Sequence, residues 1–191
     1  VLSSDNFNNV LMVARDLCQK VIQFGDTVCD CTAGNGNDTV FLASLVGENG
    51  KVYAFDVQEK AIENTRKKLE ENQFVKRVIL INDGHEKIDE YVKEMAKLFI
   101  FNLGYLPKLS HEITTKADTT LEAVKKCMKL LLKSGIIVIN VYYGHENGKE
   151  EKKILEEFCQ KINQKEFNVF KLYFMNQVNN PPELICIERR N

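Results

Sequence analysis

The chain has no excess of either charge: 26 Lys and Arg stand against 27 Asp and Glu in 191 residues, a formal net charge of −1. That balance excludes a global basic field announcing a nucleic-acid partner, so any such partner must be held by local patches. Lys67-Lys68, Lys76-Arg77, Lys125-Lys126 and Arg189-Arg190 are candidates, although such pairs ordinarily form the solvated faces of helices. Histidine is scarce, with three in the chain and none at metal-ligand spacing, so no metal site is expected. There is no apolar run of membrane-spanning length and no signal peptide, which points to a soluble cytoplasmic protein with no membrane partner. Internal repeats and low-complexity linkers are missing too. With 44% hydrophobic content, the length suits one domain over residues 1–191. Its parts are a leading helix (1–24), strand–helix units (25–163) and a C-terminal strand pair (164–191).

The six cysteines are scattered through apolar stretches and read as small core residues in a reducing compartment. Cys29-Asp30-Cys31 is a C-x-C inside a strand, and its two thiols are expected on opposite faces, unable to converge on one metal.

From residue 27 onward, short β-branched or apolar runs alternate with longer amphipathic ones. That rhythm predicts an α/β three-layer sandwich around a mostly parallel, Rossmann-like sheet. Seven strands are expected: Thr27–Cys31, Lys51–Asp56, Val78–Asn82, Lys97–Asn102, Gly135–Tyr143, Asn168–Phe174 and Leu184–Glu188. Helices are expected over Asn6–Phe24, Asp38–Val46, Glu59–Asn72, Glu86–Met95, Asp118–Lys133 and Gly148–Asn163. Asp118 would open its helix and Gly135 would close it. The last two strands have no helix between them and should form an antiparallel edge hairpin joined through Asn176–Pro182.

The most informative stretch is Val28-Cys-Asp-Cys-Thr-Ala-Gly-Asn-Gly-Asn-Asp-Thr39, a buried strand running into a glycine-rich turn and a helix start. Gly34 and Gly36 allow a sharp turn and close approach of a ligand, and Asp38 could cap the helix. Twenty residues after Gly36 the second strand ends in Asp56, a carboxylate suited to a ribose diol. A dinucleotide fingerprint would place a third glycine where Thr39 stands, which argues against a dehydrogenase.

The remaining strand ends read Asp83-Gly84-His85, Asn102–Pro107 and Tyr142-Tyr143-Gly144. These suit S-adenosylmethionine: Asp56 for the ribose hydroxyls, Gln58 for the ribose or base edge, Asp83, Gly84 and His85 for the adenine region, and Asn35, Asn37 and the glycine backbone at Gly34 for the methionine end, with Asp38 opening the helix whose amides face the cofactor. Asn102-Leu-Gly-Tyr105-Leu-Pro107 resembles the Asn-Pro-Pro-Tyr loop of methyltransferases acting on amino nitrogens. There an amide oxygen accepts hydrogens from the target amine while the ring packs beside it. Asn102 and Tyr105 are thus the catalytic candidates. Alternatively, Gly34-Asn35-Gly36 is only a tight turn, Asn102 a strand cap and Tyr105 a surface ring.

Together, Asp30-Cys-Thr-Ala-Gly-Asn-Gly-Asn-Asp38, Phe55-Asp-Val-Gln58, Asp83-Gly-His85, Phe101-Asn-Leu-Gly-Tyr-Leu-Pro107 and Asn179-Asn-Pro-Pro182 resemble a small bacterial family. It is the tRNA (5-(aminomethyl)-2-thiouridine) methyltransferase family, formerly labelled rRNA methylase. The resemblance spans nearly the whole chain. It implies a seven-stranded class I methyltransferase fold and S-adenosylmethionine-dependent methylation of the aminomethyl group on a tRNA wobble uridine. It also implies cofactor contacts from Asn35, Asn37, Asp56, Gln58, Gly84 and His85, and an acceptor site shaped by Asn102, Tyr105 and Pro107. His111, Thr115, Thr119, Tyr142, Tyr143 and the Asn176–Pro182 connection would face RNA, where a splayed-out anticodon-loop nucleotide fits better than a duplex. The chain departs from the family at Lys108-Leu109-Ser110, where a smaller, more polar turn is expected. Methylation of an rRNA base amine and a silent cofactor- or RNA-binding module are the competing readings. A homodimer that pools basic patches would compensate for the missing charge.

Overall fold

The computed structural model describes residues 9–104, 115–144 and 146–191. In chain order the elements are α1 (Val10–Val21), β1 (Thr27–Asp30), α2 (Asn37–Val46), β2 (Lys51–Phe55), α3 (Glu59–Glu71) and β3 (Val78–Ile81). They continue with α4 (Ile88–Tyr91), β4 (Ala96–Leu103), α5 (Ala117–Leu130), β5 (Leu131–Val141), α6 (Glu146–Cys159), β6 (Phe167–Leu172) and β7 (Glu183–Arg189). All seven strands join one sheet in the order β3-β2-β1-β4-β5-β7-β6. The first five pair in parallel, and β7 runs antiparallel to both β5 and β6. The expected edge hairpin is therefore present.

The strands read as continuous apolar runs because both sheet faces are covered. One face packs Val28, Leu98, Ile100 and Val138 under α1 and α2; the other packs Cys29, Phe99, Phe101 and Ile139 under α5. The period of two assigns each neighbour to the opposite face. The same rule corrects the reading of the C-x-C: Cys29 and Cys31 lie on one face in one cluster, and Asp30 points the other way toward α2. All six thiols are free. Among the described residues no helix is long and apolar enough to cross a membrane.

Several expectations about element ends fail. α5 stops at Leu130 rather than Lys133, and β5 starts at Leu131 rather than Gly135. Ala96 pairs with Leu131 but Leu98 with Ile136, so the start of β5 bulges, with Ser134 at φ 55°. A Cβ on Gly135 would lie 2.8 Å from the carbonyl oxygens of Leu132 and Lys97, so this glycine permits a bulge rather than ending a helix. Asp118 sits in the first turn of α5 behind an N-cap at Lys116, where its charge complements the helix dipole without capping it. Instead of one helix over Glu86–Met95, a 3₁₀ turn over His85–Lys87 leads into the short α4. At the N-terminal side, Asn9 caps α1 through its side chain, with Met12 N donating at 3.1 Å.

Candidate functional site

Parallel strands deliver their carboxyl ends to one edge of the sheet, and there β1, β2 and β4 meet, at the point where chain direction across the sheet reverses. The glycine turn leaves β1 at this edge. Gly36, not Asp38, is the N-cap of α2, at φ 78° and with no side-chain cap. A Cβ there would approach within 2.9 Å of the Thr65 backbone, so Gly36 is glycine because α3 presses against it. α3 also holds the rest of the turn. The Thr65 hydroxyl donates to the Gly34 carbonyl at 3.2 Å, Asn64 donates to the Asn35 side chain at 3.2 Å, and the Lys68 ammonium bonds the Asn37 side chain. Asn64 and Thr65 did not stand out in the sequence, and Lys68 did only as part of a basic pair, although their spacing places all three on one helical face.

Under the turn, Asp30 is fully buried and accepts from the Thr39 hydroxyl at 2.6 Å and from Thr32 N at 3.2 Å. Burial first, then the neighbouring Asp38 charge, raises its carboxyl to about 7. Thr39 therefore occupies the third-glycine position with a use for its hydroxyl.

Asp56, at the end of β2, accepts from Gly34 N at 2.8 Å through one oxygen and from Gln58 N at 2.9 Å through the other. Burial raises its carboxyl, offset by these two amides. Each oxygen keeps a lone pair, so the fixed carboxylate can still accept from a diol. Asp83 is more fully committed: it accepts from Gly84 N, the Lys87 ammonium and the Tyr91 hydroxyl, and Lys87 above all pulls its carboxyl down to about 2. His85 is buried with its ring edge-on to Phe101, centroids 5.6 Å apart. Its Nδ1 lies 3.1 Å from the Cys31 carbonyl, which can only accept, so Nδ1 carries the proton. Burial depresses its pKa, leaving a neutral imidazole whose Nε2 is a buried acceptor with no partner among the described residues. An acid fixed by two amides and an orphaned acceptor at one sheet edge fit an adenosyl group.

The end of β4 is built differently. Asn102 Nδ2 donates to Asp38 Oδ2 at 2.9 Å, while its Oδ1 accepts from Asn140 Nδ2 at 2.9 Å. Because a carboxylate accepts only, Asp38 fixes which way the Asn102 amide faces. Asp38 also takes the Arg15 guanidinium at 2.9 Å, and Arg15 rests on the Phe41 ring. Asn102 N donates to the Thr32 hydroxyl at 2.7 Å. Arg15, Thr32 and Asn140 were not singled out in the sequence: nothing local marks a residue on α1, just after β1 or near the end of β5 as a neighbour of the β4 end.

Tyr142 is half-buried beside Gly104, where a Cβ on that glycine would lie 3.4 Å away. Tyr143 stacks instead under Lys152, 3.8 Å from the ring centroid, and Lys152 pairs with Glu183 at 2.8 Å. Thr115 does not present a free hydroxyl: the group accepts from Gly104 N at 3.0 Å and donates to Glu151. The Thr119 hydroxyl donates to the Lys116 carbonyl. Tyr105, Pro107 and His111, and the departure at Lys108-Leu109-Ser110, lie outside the described residues.

Comparison with known proteins bears on this geometry. The family described as "Putative rRNA methylase" matches residues 52–188, and a protein-L-isoaspartate O-methyltransferase family matches residues 5–92. A chloroplastic tRNA (mnm(5)s(2)U34)-methyltransferase of Arabidopsis thaliana is 38% identical over 94% of this chain and 69% of its own length. The structure of an rRNA methylase from Clostridium thermocellum superposes with a TM-score of 0.94 at 48% identity, covering 98% of this chain and all of its own. A Streptococcus mutans methyltransferase solved with SAH superposes with a TM-score of 0.87 at 41% identity, covering 98% of this chain and 99% of its own. The chain belongs to the rRNA methylase family, and is a class I, S-adenosylmethionine-dependent RNA methyltransferase.

Proposed function

We propose that this enzyme N-methylates the aminomethyl group of 5-aminomethyl-(2-thio)uridine at the wobble position of tRNA, reached through the anticodon loop. The observation that carries the reading is the orientation of Asn102: with its NH₂ committed to Asp38, its Oδ1 keeps one lone pair for a donor, and an amine is a donor. A curated relative with 38% identity is named for an mnm⁵s²U34 methyltransferase, which supports the same substrate class.

S-adenosylmethionine, when bound, supplies an electrophilic methyl group. Asp56 and Gln58 would hold its ribose, Gly84 and His85 its adenine end, and Gly34, Asn35 and Asn37 its methionine end. Asn102 Oδ1 accepts a hydrogen from the substrate amine and so aims the nitrogen lone pair. Alkylamines are mostly protonated near neutral pH, and the half-buried Asn102 environment favours the neutral form that attacks. His85 is assigned to the cofactor rather than to the amine: its ring is buried and its Nδ1 is tied to the Cys31 carbonyl. Tyr142, beside Gly104, would pack against the splayed nucleotide, whereas Tyr143 belongs to the Lys152–Glu183 group. The free thiols suit a reducing, cytoplasmic setting.

The family description favours rRNA as a second reading. Labelled cofactor offered with aminomethyl-bearing tRNA, tRNA lacking that group and rRNA, followed by nucleoside mass spectrometry, separates the two. One added methyl on the aminomethyl nucleoside alone is expected. Label confined to rRNA would overturn the tRNA assignment.

A further inference from the structure

Glu151 lies on the buried face of α6, between Gly148 and Leu155, and is 1% exposed. An apolar residue would ordinarily stabilise such a position, since burying a carboxylate is costly. Both of its oxygens are taken by hydroxyls: Oε2 by Thr115 Oγ1 at 2.7 Å and Oε1 by Thr120 Oγ1 of α5 at 2.5 Å. Burial raises its carboxyl, and the two threonines counter part of that rise.

What the carboxylate secures is visible one bond further on. Gly104 N donates to Thr115 Oγ1 at 3.0 Å, and Thr115 N donates to the Gly104 carbonyl at 3.2 Å. The Thr115 hydroxyl has one proton and rotates freely unless both its roles are fixed. With its oxygen facing the Gly104 amide, its proton needs an acceptor on the other side, and Glu151 is that acceptor. Thr120 holds the second oxygen against α5, so the carboxylate cannot swing. Gly104, at φ 145°, stands two residues beyond Asn102.

We infer that Glu151 is a positioning residue for methyl transfer: its carboxylate locks the Thr115 hydroxyl onto the Gly104 amide and so holds the end of β4 that carries Asn102. The inference rests on the reading of Asn102 as the amine acceptor, and concerns residues apart from the glycine turn and Asp56.

The test follows Gly104 amide exchange by NMR, single-turnover methyl transfer to aminomethyl-bearing tRNA, and SAH affinity by calorimetry. It compares Glu151→Gln, Glu151→Leu and, as a control, Glu150→Gln on the exposed side of the same helix. Glu151→Leu should raise Gly104 exchange and slow transfer by about tenfold each, the scale of one charge-assisted hydrogen bond, with SAH affinity within about twofold. Glu151→Gln, which retains one carbonyl acceptor and guards against a folding failure of the leucine variant, should fall between. Adding Thr115→Val should cost nothing further, because the two groups act as one unit. Unchanged Gly104 exchange in both Glu151 variants, or SAH affinity falling in step with transfer, would overturn the inference. Wild-type protein that transfers nothing to this tRNA defeats the functional reading instead, and the exchange measurement then decides whether the lock exists.

Discussion

The two halves of the site are held together in different ways. On the cofactor side, the bonds around Gly34 run to backbone atoms, Asp56 to Gly34 N and Gln58 N and Thr65 to the Gly34 carbonyl, while Asn64 and Lys68 of α3 hold the side chains of Asn35 and Asn37. On the acceptor side, side chains hold side chains across long stretches of sequence: Arg15 to Asp38, Asp38 to Asn102, Asn102 to Asn140, and Thr115 to Glu151. Backbone anchoring fixes a ligand common to many enzymes and tolerates change in side chains. A side-chain relay instead fixes the direction of one amide, which is what the proposed discrimination of a substrate amine requires.

The comparison can be broken from either half. Asp56→Ala should have the largest effect, weakening SAH binding by about 100-fold as charge-assisted bonds to a ribose are lost, and calorimetry measures it. Gly36→Ala forces a side chain into φ 78° and against Thr65, and should destabilise the fold by about 3 kcal/mol, a fall of about 10 °C in the thermal midpoint.

Asp30 gives a pH signature. Its folded carboxyl is raised to about 7, so the folded state holds a proton that the unfolded chain has already released. That contribution is fully present below about pH 4 and is lost as pH rises through about 7. Thermal midpoints should decline across that window, and Asp30→Asn should flatten the decline; an unaltered slope would remove Asp30 as its source. Arg15→Ala should have the smallest effect, slowing transfer by about threefold or less, because its side chain is 44% exposed and solvent screens the pair.

Sequence reading succeeded where signals are local. Among the described residues, the seven strands and the helices follow from hydrophobic periodicity, and the glycine turn and Asp56 from their spacing, because each is a short-range consequence of strand, helix and turn geometry. It failed where the reason for a residue lies across the fold. Gly135 looked like a helix stop but serves a bulge against Lys97, and Gly36 looked shaped for a ligand but makes room for Thr65. Asp38 read as a helix cap, yet its carboxylate serves Arg15 and Asn102. Asn140 and Glu151 carry no local mark: a polar residue in an apolar run, or one carboxylate in a charged run, shows its purpose only when tertiary packing supplies the partner.

The central claim is that Asp38 orients Asn102 for the substrate amine rather than binding the cofactor. The most direct measurement is single-turnover methyl transfer to aminomethyl-bearing tRNA by Asp38→Ala, paired with its SAH affinity. The account predicts a rate lowered by about tenfold or more with SAH affinity within about twofold of wild type, the cost of one charge-assisted bond. SAH affinity falling in parallel with the rate would contradict it and return Asp38 to the cofactor half.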